Sequence, residues 1–186
     1  MQILIASDIF GRTTALETLA EQLAPCPGRC FLVDPYKGAF RHFSGQPEAY
    51  ATFQGEVGLG GYIQSVRNAI DQAAQPLTLI GFSVGASAIW ALSGGASLPS
   101  GTRAFCFYGS QIRHYTAVIP RIEIELYLPE LEPHFDVDDL IRELSGREGV
   151  VCHRTTYRHG FMNPLSANFD STAYTAYLQM LKAKIC

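Results

Sequence analysis

The sequence is short of charge and nearly without tryptophan. Only 17% of its 186 residues are charged, and it contains one tryptophan and three methionines. Lys and Arg total 14 against 17 Asp and Glu, a net charge of −3. Without a basic excess there is no electrostatic footprint for nucleic acid or an anionic membrane surface. No run of about 18 apolar residues occurs, which excludes a spanning helix. Met1–Ala6 is too short for a signal-peptide core and lacks a basic leader, so no export signal is expected. The five cysteines, Cys26, Cys30, Cys106, Cys152 and Cys186, are odd in number and scattered. A secreted disulfide framework has an even count in a shorter chain, so a reduced, cytoplasmic protein is expected. Cys26 and Cys30 have no second ligand pair to complete a zinc site, and read as small residues flanking a Pro-rich turn. Val57–Gly61 (VGLGG) suggests a dinucleotide loop, but the pattern fails at Ile63 and no strand precedes it. It reads as a flexible loop before a helix. No metal or organic cofactor is expected.

What is present is a large apolar fraction, 47% of the residues. That suffices for a core, and the length suits one domain over residues 1–186. Short apolar runs alternate with amphipathic stretches. Strands are expected at Gln2–Ala6, Arg29–Val33, Leu77–Ile80, Ala104–Tyr108, Ile122–Leu128 and Val150–Tyr157. Between them, apolar residues recur at helical spacing. Leu16, Leu19, Ala20 and Leu23 mark a helix ended by Pro25 and Pro27. Tyr62, Val66, Ala69, Ile70 and Ala73 mark a second, and Ala86–Leu92 a third, stopped near Gly94 and Gly95. Val137, Leu140, Ile141 and Leu144 mark a fourth. Tyr174, Tyr177, Leu178 and Leu181 mark the last. Pro35–Gly61 reads as irregular. This alternation predicts an α/β fold: about six mostly parallel strands with helices on both faces. Ligand sites in such sheets lie at the carboxyl ends of the strands.

The chemistry-bearing residues stand there. Gly81-Phe82-Ser83-Val84-Gly85 is G-x-S-x-G between a strand and a helix, a turn that lifts a serine hydroxyl clear of the backbone. A serine at its ordinary pKa is a poor nucleophile and needs a base. His159, directly after the sixth strand, is the candidate, whereas His42 and His114 sit in loops, His134 follows Pro133 and His153 lies inside a strand. The base needs an orienting acid after the fifth strand. Glu132 is the candidate and Asp136 the rival. Asp138 and Asp139 read as first-turn helix acids. An oxyanion needs two amide donors. The amide of Val84 follows the nucleophile, and the amide of Ile9 lies in the loop after the first strand.

Together these residues resemble the dienelactone hydrolase family of α/β-hydrolases. Asp8-Ile9-Phe10-Gly11 looks like the family's acidic-Ile-Phe-Gly turn. Asp34-Pro35-Tyr36 is similar to its Pro-Asp-Leu-Tyr stretch with altered order. The G-x-S-x-G elbow, Tyr108-Gly109 and His159-Gly160-Phe161 follow in the family's order. The departures bear on chemistry. Ser83 stands where the type enzymes have cysteine, which suits ordinary ester hydrolysis. Pro129-Glu130-Leu131-Glu132 replaces a Gly-Glu-x-Asp stretch, so Glu132 is the acid by resemblance. Met162-Asn163 follows the histidine where the type enzyme places an arginine for a substrate carboxylate, so dienelactone is not the expected substrate. The role of Asp8, whose family counterpart touches the nucleophile, is open.

The expectation is a serine hydrolase that cleaves a small ester or thioester through an acyl-enzyme. A non-catalytic binding module on the same scaffold and an acyltransferase are the alternatives. The expected partner is a small-molecule ester. The aromatic residues of Pro35–Gly61 (Tyr36, Phe40, Phe43, Tyr50 and Phe53) form either a lid over the pocket or the packing of a long loop. Arg41 and His42 read as solvated loop residues. Glu123 and Glu125, alternating on the fifth strand, suggest an exposed edge face or a sheet terminus.

Overall fold

A computed structural model describes residues 2–23, 30–73, 76–95 and 98–185. Cys26, Pro25, Pro27, Arg29 and Cys186 lie outside the described residues. The chain runs β1 (Gln2–Ala6), α1 (Thr14–Leu23), β2 (Cys30–Val33), α2 (Gln46–Glu56), α3 (Gly58–Asp71), β3 (Leu77–Phe82) and α4 (Val84–Leu92). It continues through β4 (Arg103–Phe107), a 3₁₀ turn (Ser110–His114), β5 (Glu123–Leu128), α5 (Val137–Leu144), β6 (Val150–Arg154) and α6 (Ser171–Ile185).

The six strands form one sheet in the order β2-β1-β3-β4-β5-β6. Every pairing is parallel. Parallel neighbours need crossovers, and the helices that supply them cover both faces. Side chains alternate across the sheet. Leu4, Ala6, Leu79, Cys106 and Leu126 join a core with Tyr62, Val66, Ile70, Trp90 and Leu140 from α3, α4 and α5. Ile3, Ile5, Phe82, Phe107 and Tyr127 join a second core with Leu19, Leu23, Leu178 and Leu181 from α1 and α6. Two-sided burial explains why the strands read as continuous apolar runs.

The starts of α1, α6 and α5 are capped by side chains in the expected way. Thr13 Oγ1 accepts from the Leu16 amide at 3.1 Å. Asp170 Oδ1 accepts from the Ala173 amide at 2.8 Å. Asp136 Oδ1 accepts from the amides of Asp138 and Asp139 at 2.8 and 3.3 Å.

Three expectations are corrected. Pro35–Gly61 is not irregular throughout: it holds α2 and the first turn of α3, which begins at Gly58. α2 buries only Ala49 and Phe53, so its sequence carries almost no apolar periodicity. Gly58, Gly60 and Gly61 disfavour helix, and packing of Tyr62, Val66 and Ile70 overrides them. The sixth strand ends at Arg154 rather than Tyr157. Glu125 does not mark an edge, because β5 lies between β4 and β6. Its carboxylate accepts from Lys184 Nζ at 2.5 Å and Tyr127 Oη at 2.8 Å, and lies 2.8 Å from His153 Nε2. Burial alone would raise its pKa, but these three partners outweigh it and hold the carboxyl below its ordinary value.

Candidate active site

The loops after β1, β3, β5 and β6 meet at the carboxyl edge of the sheet. At the end of β3 the backbone turns sharply at Ser83, with φ 51° and ψ −111°. A non-glycine residue there is strained, and such strain concentrates at functional positions. The turn is held by the Ser83 amide donating to the Phe107 carbonyl at 2.9 Å and the Ser83 carbonyl accepting from the Ser87 amide at 3.0 Å. It is possible only with glycine on both sides. A Cβ on Gly85 would stand 2.3 Å from the Ala6 carbonyl oxygen, and one on Gly81 would stand 2.6 Å from the Ala86 backbone. The small residues let α4 start directly against the end of β1.

Ser83 Oγ lies 3.0 Å from His159 Nε2. His159 Nδ1 lies 2.6 Å from Glu132 Oε1. With the Nδ1 proton donated to the carboxylate, Nε2 is left to accept from the serine hydroxyl. The Glu132 side chain is almost fully buried, and that of His159 is a quarter exposed. Asp136 is elsewhere, occupied as the cap of α5. Its aspartate fits a cap because a short carboxylate reaches the amides two and three residues on, whereas Glu132 has the reach for His159. His153 bonds Glu125 and stacks on Tyr127 at 4.7 Å, within β6.

The loop after β1 is fixed from several sides. Asp8 Oδ1 accepts from the Phe10 amide at 3.0 Å, and the Asp8 carbonyl accepts from the Gly11 amide at 3.1 Å. Tyr36 Oη donates to the Ile9 carbonyl at 2.8 Å. Burial pushes the Tyr36 hydroxyl up to about 12, so it stays a donor at any ordinary pH. Tyr62 Oη donates to the Val33 carbonyl at 2.8 Å and lies 3.1 Å from the Ser7 carbonyl, clamping the ends of β1 and β2. Among the described residues no hydrogen bond takes the amides of Ile9 or Val84. The Val84 amide opens α4, where the helix dipole favours negative charge.

Two partners were not legible in the sequence. Asn163 Nδ2 donates to Asp8 Oδ2 at 2.6 Å, joining loops 155 positions apart. Asp8 is buried. Burial holds its carboxyl above the ordinary value, although the Asn163 amide, the Phe10 amide and His159 each pull the other way. Tyr108, also in a positive-φ conformation at 41°, lays its ring 5.0 Å from the His159 ring. Its buried hydroxyl faces the Met162 amide short of hydrogen-bond geometry. Burial and then the nearby Asp8 hold that hydroxyl neutral. A cavity of about 30 Å³ lies beside Asp8, Tyr108 and Asn163. The only advance signal was position: each follows a strand end or the histidine.

The aromatic residues expected as a lid divide. Tyr36 and Phe53 are buried, Phe43 packs edge-on against Tyr36 at 5.5 Å, and Phe40 and Tyr50 face solvent. Arg41 pairs with Glu56 and lies 5.0 Å over the Tyr36 ring rather than standing free in a loop.

This sheet order, with a strained serine between β3 and α4, defines the α/β-hydrolase fold. Solved structures place it more narrowly. A Klebsiella pneumoniae subsp. pneumoniae protein provisionally assigned as a dienelactone hydrolase superposes with a TM-score of 0.73 at 14% identity, over 96% of this chain and 84% of its own. The dienelactone hydrolase-like promiscuous phosphotriesterase P91, from metagenomic libraries, gives 0.71 at 17% identity, over 99% and 86%. The fold is therefore dienelactone hydrolase-like. In sequence, the chain is 37% identical over 122 residues to the uncharacterized protein YczH of Bacillus subtilis (strain 168), a match covering 63% of this chain and 58% of that relative. No family model matches the sequence. Among the described residues, no helix is long and apolar enough to cross a membrane.

Proposed function

We propose that the protein is a serine hydrolase that cleaves a small ester or thioester through an acyl-enzyme. The observation that carries this reading is the unbroken chain from Ser83 Oγ to His159 Nε2 at 3.0 Å and from His159 Nδ1 to Glu132 at 2.6 Å. These are the separations at which a base takes a hydroxyl proton and an acid holds the base. The hydrolase and lipolytic neighbours in fold support it.

In the first half-reaction Ser83 Oγ attacks the carbonyl carbon as its proton passes to His159 Nε2. The carbonyl oxygen becomes an oxyanion and takes hydrogen bonds from the Ile9 and Val84 amides. These donors are rigid before substrate arrives, so little reorganisation is needed when the charge develops. Glu132, buried against Nδ1, stabilises the imidazolium. Collapse breaks the bond to the leaving alcohol or thiol, which receives the proton from His159. In the second half-reaction His159 takes a proton from water, and the resulting hydroxide attacks the acyl carbon. The acid departs and Ser83 regains its proton. No metal or organic cofactor enters these steps.

The test is intact-mass analysis after treatment with an ethoxy fluorophosphonate. One adduct on the wild type, lost in Ser83→Ala and His159→Ala, is the expected result. A folded wild type that takes no adduct would overturn the reading in favour of a binding module. Product analysis with added alcohol separates hydrolysis from acyl transfer.

A further inference from the structure

A groove lined by loops at the same end of the sheet as Ser83 is left unused by the steps above. Its volume is about 320 Å³, at the small end of ligand sites, and its lining includes Phe10, Arg12, Phe40, His42, Phe43 and Leu165. These residues come from the loops after β1, β2 and β6. In the sheet order β1 lies between β2 and β3, so the groove starts one strand away from Ser83. Phe10 directly follows Ile9. The opposite wall is tied down by the same contacts that shape the site: Asn163 donates to Asp8 at 2.6 Å, and the Leu165 amide donates to Asn163 Oδ1 at 2.8 Å. The groove thus lies at the carboxyl end of the sheet, where the serine also stands.

Its surface is predominantly apolar. Phe40 is 41% exposed and Leu165 51% exposed. The Phe40 and His42 rings lie nearly parallel, 6.1 Å apart at 27°. His42 is held at φ 49°, a conformation that a non-glycine residue adopts at some cost. Arg12 sits 6.0 Å from the Phe40 ring, but its charge is already met by Glu17 at 2.9 Å. Exposed rings beside a guanidinium already paired with Glu17 suit an uncharged aromatic group, which can stack on the ring faces.

We propose that this groove receives the uncharged aryl arm of the ester, so that the substrate class is an aryl-bearing ester rather than a carboxylate-bearing one. The proposal rests on the serine-hydrolase reading. It is tested with two matched pairs: methyl phenylacetate against methyl acetate, which varies the acyl arm, and phenyl acetate against methyl acetate, which varies the leaving arm. The kcat/KM preference for the aryl member of one pair, corrected for the uncatalysed rates, should be about tenfold or more. Whichever pair shows it identifies the arm. Phe40→Ala and Leu165→Ala, both at exposed positions and checked for folding by thermal melting, should each cut that preference about threefold or more. Tyr50→Ala, on the exposed face of α2, should leave it intact.

No preference in either pair, or a preference untouched by both groove variants, overturns the proposal while fluorophosphonate labelling keeps the serine reading standing. If the folded protein takes no label, the serine reading fails. The groove is then tested by titrating methyl phenylacetate into ¹⁵N-labelled protein. Shifts centred on Phe40 and Leu165 and weakened in Phe40→Ala support it, and their absence refutes it.

Discussion

Substituting Gly85 by alanine adds one methyl group at the point where α4 meets β1. That Cβ would stand 2.3 Å from the Ala6 carbonyl oxygen and 2.5 Å from the Ser7 carbonyl oxygen. Both obstacles are backbone, and Ala6 is locked in register with Val33 and Gly81 on its two neighbours. No side-chain rotation relieves the overlap, so the helix start must move by about 1 Å against a packed core. Overpacking of this kind costs about 3 kcal/mol. For a chain of this length that lowers Tm by about 6–12 °C. The same shift displaces Ser83 relative to the Ile9 loop, and misplacement by about 1 Å costs about 100-fold in rate. Gly60→Ala is the internal control. A Cβ there meets nothing within 4 Å, and the residue lies in α3. It should gain about 0.5–1 kcal/mol from helix propensity. Thermal melting with fluorophosphonate labelling reads both variants. A Gly85→Ala protein melting within about 2 °C of wild type would refute the close-approach argument.

Three further expectations follow from the same geometry. Glu132→Gln keeps the side-chain shape but removes the charge facing the imidazolium, and should slow labelling of Ser83 by about 100- to 10,000-fold without unfolding the protein; a loss under tenfold would refute Glu132 as the acid. Ser83→Gly and Ser83→Ala both lose the hydroxyl, yet only alanine retains the strain at φ 51°. The glycine variant should therefore melt higher by about 1 kcal/mol, or about 2–4 °C, and equal melting temperatures would count against strain. Asp8 is held above its ordinary value of 3.8, chiefly by burial, so the folded state binds that proton more tightly than the unfolded chain. The associated stability is full below about pH 3.8 and is lost as pH rises through the folded value, by at most about 1.4 kcal/mol per unit. Asp8→Asn should therefore gain on wild type between pH 4 and pH 8, and a constant difference in Tm across that range would refute the direction.

The strands and the serine turn were legible because two-sided burial writes itself as short apolar runs, and because a sharp strand-to-helix turn demands glycines at fixed offsets. His159 and Glu132 were legible by position after strand ends. α2 was not. It buries two small patches, Ala49 and Phe53, and leaves the rest to solvent, so no apolar stripe advertises a helix. The start of α3 was hidden for the opposite reason: its glycines argue against helix, and tertiary packing decides. The Asp8–Asn163 bond has no local signature, since either residue alone reads as an ordinary loop polar group. It exists only once β1 and the segment after β6 have been brought to the same edge.

The uniformly parallel sheet also governs how this chain reaches its native state. No two consecutive strands form a hairpin, so no pairing can begin on a short turn. Each must await a crossover, and the loss of chain freedom precedes the reward of the contact. The serine is set by residue 83, but the histidine it faces arrives only after β6, the last strand in sequence and at the edge. During that interval the apolar runs of the central strands have open hydrogen-bonding edges, the condition under which chains adhere to one another. Slow acquisition of structure, with a need for protection on the way, is written into the topology itself.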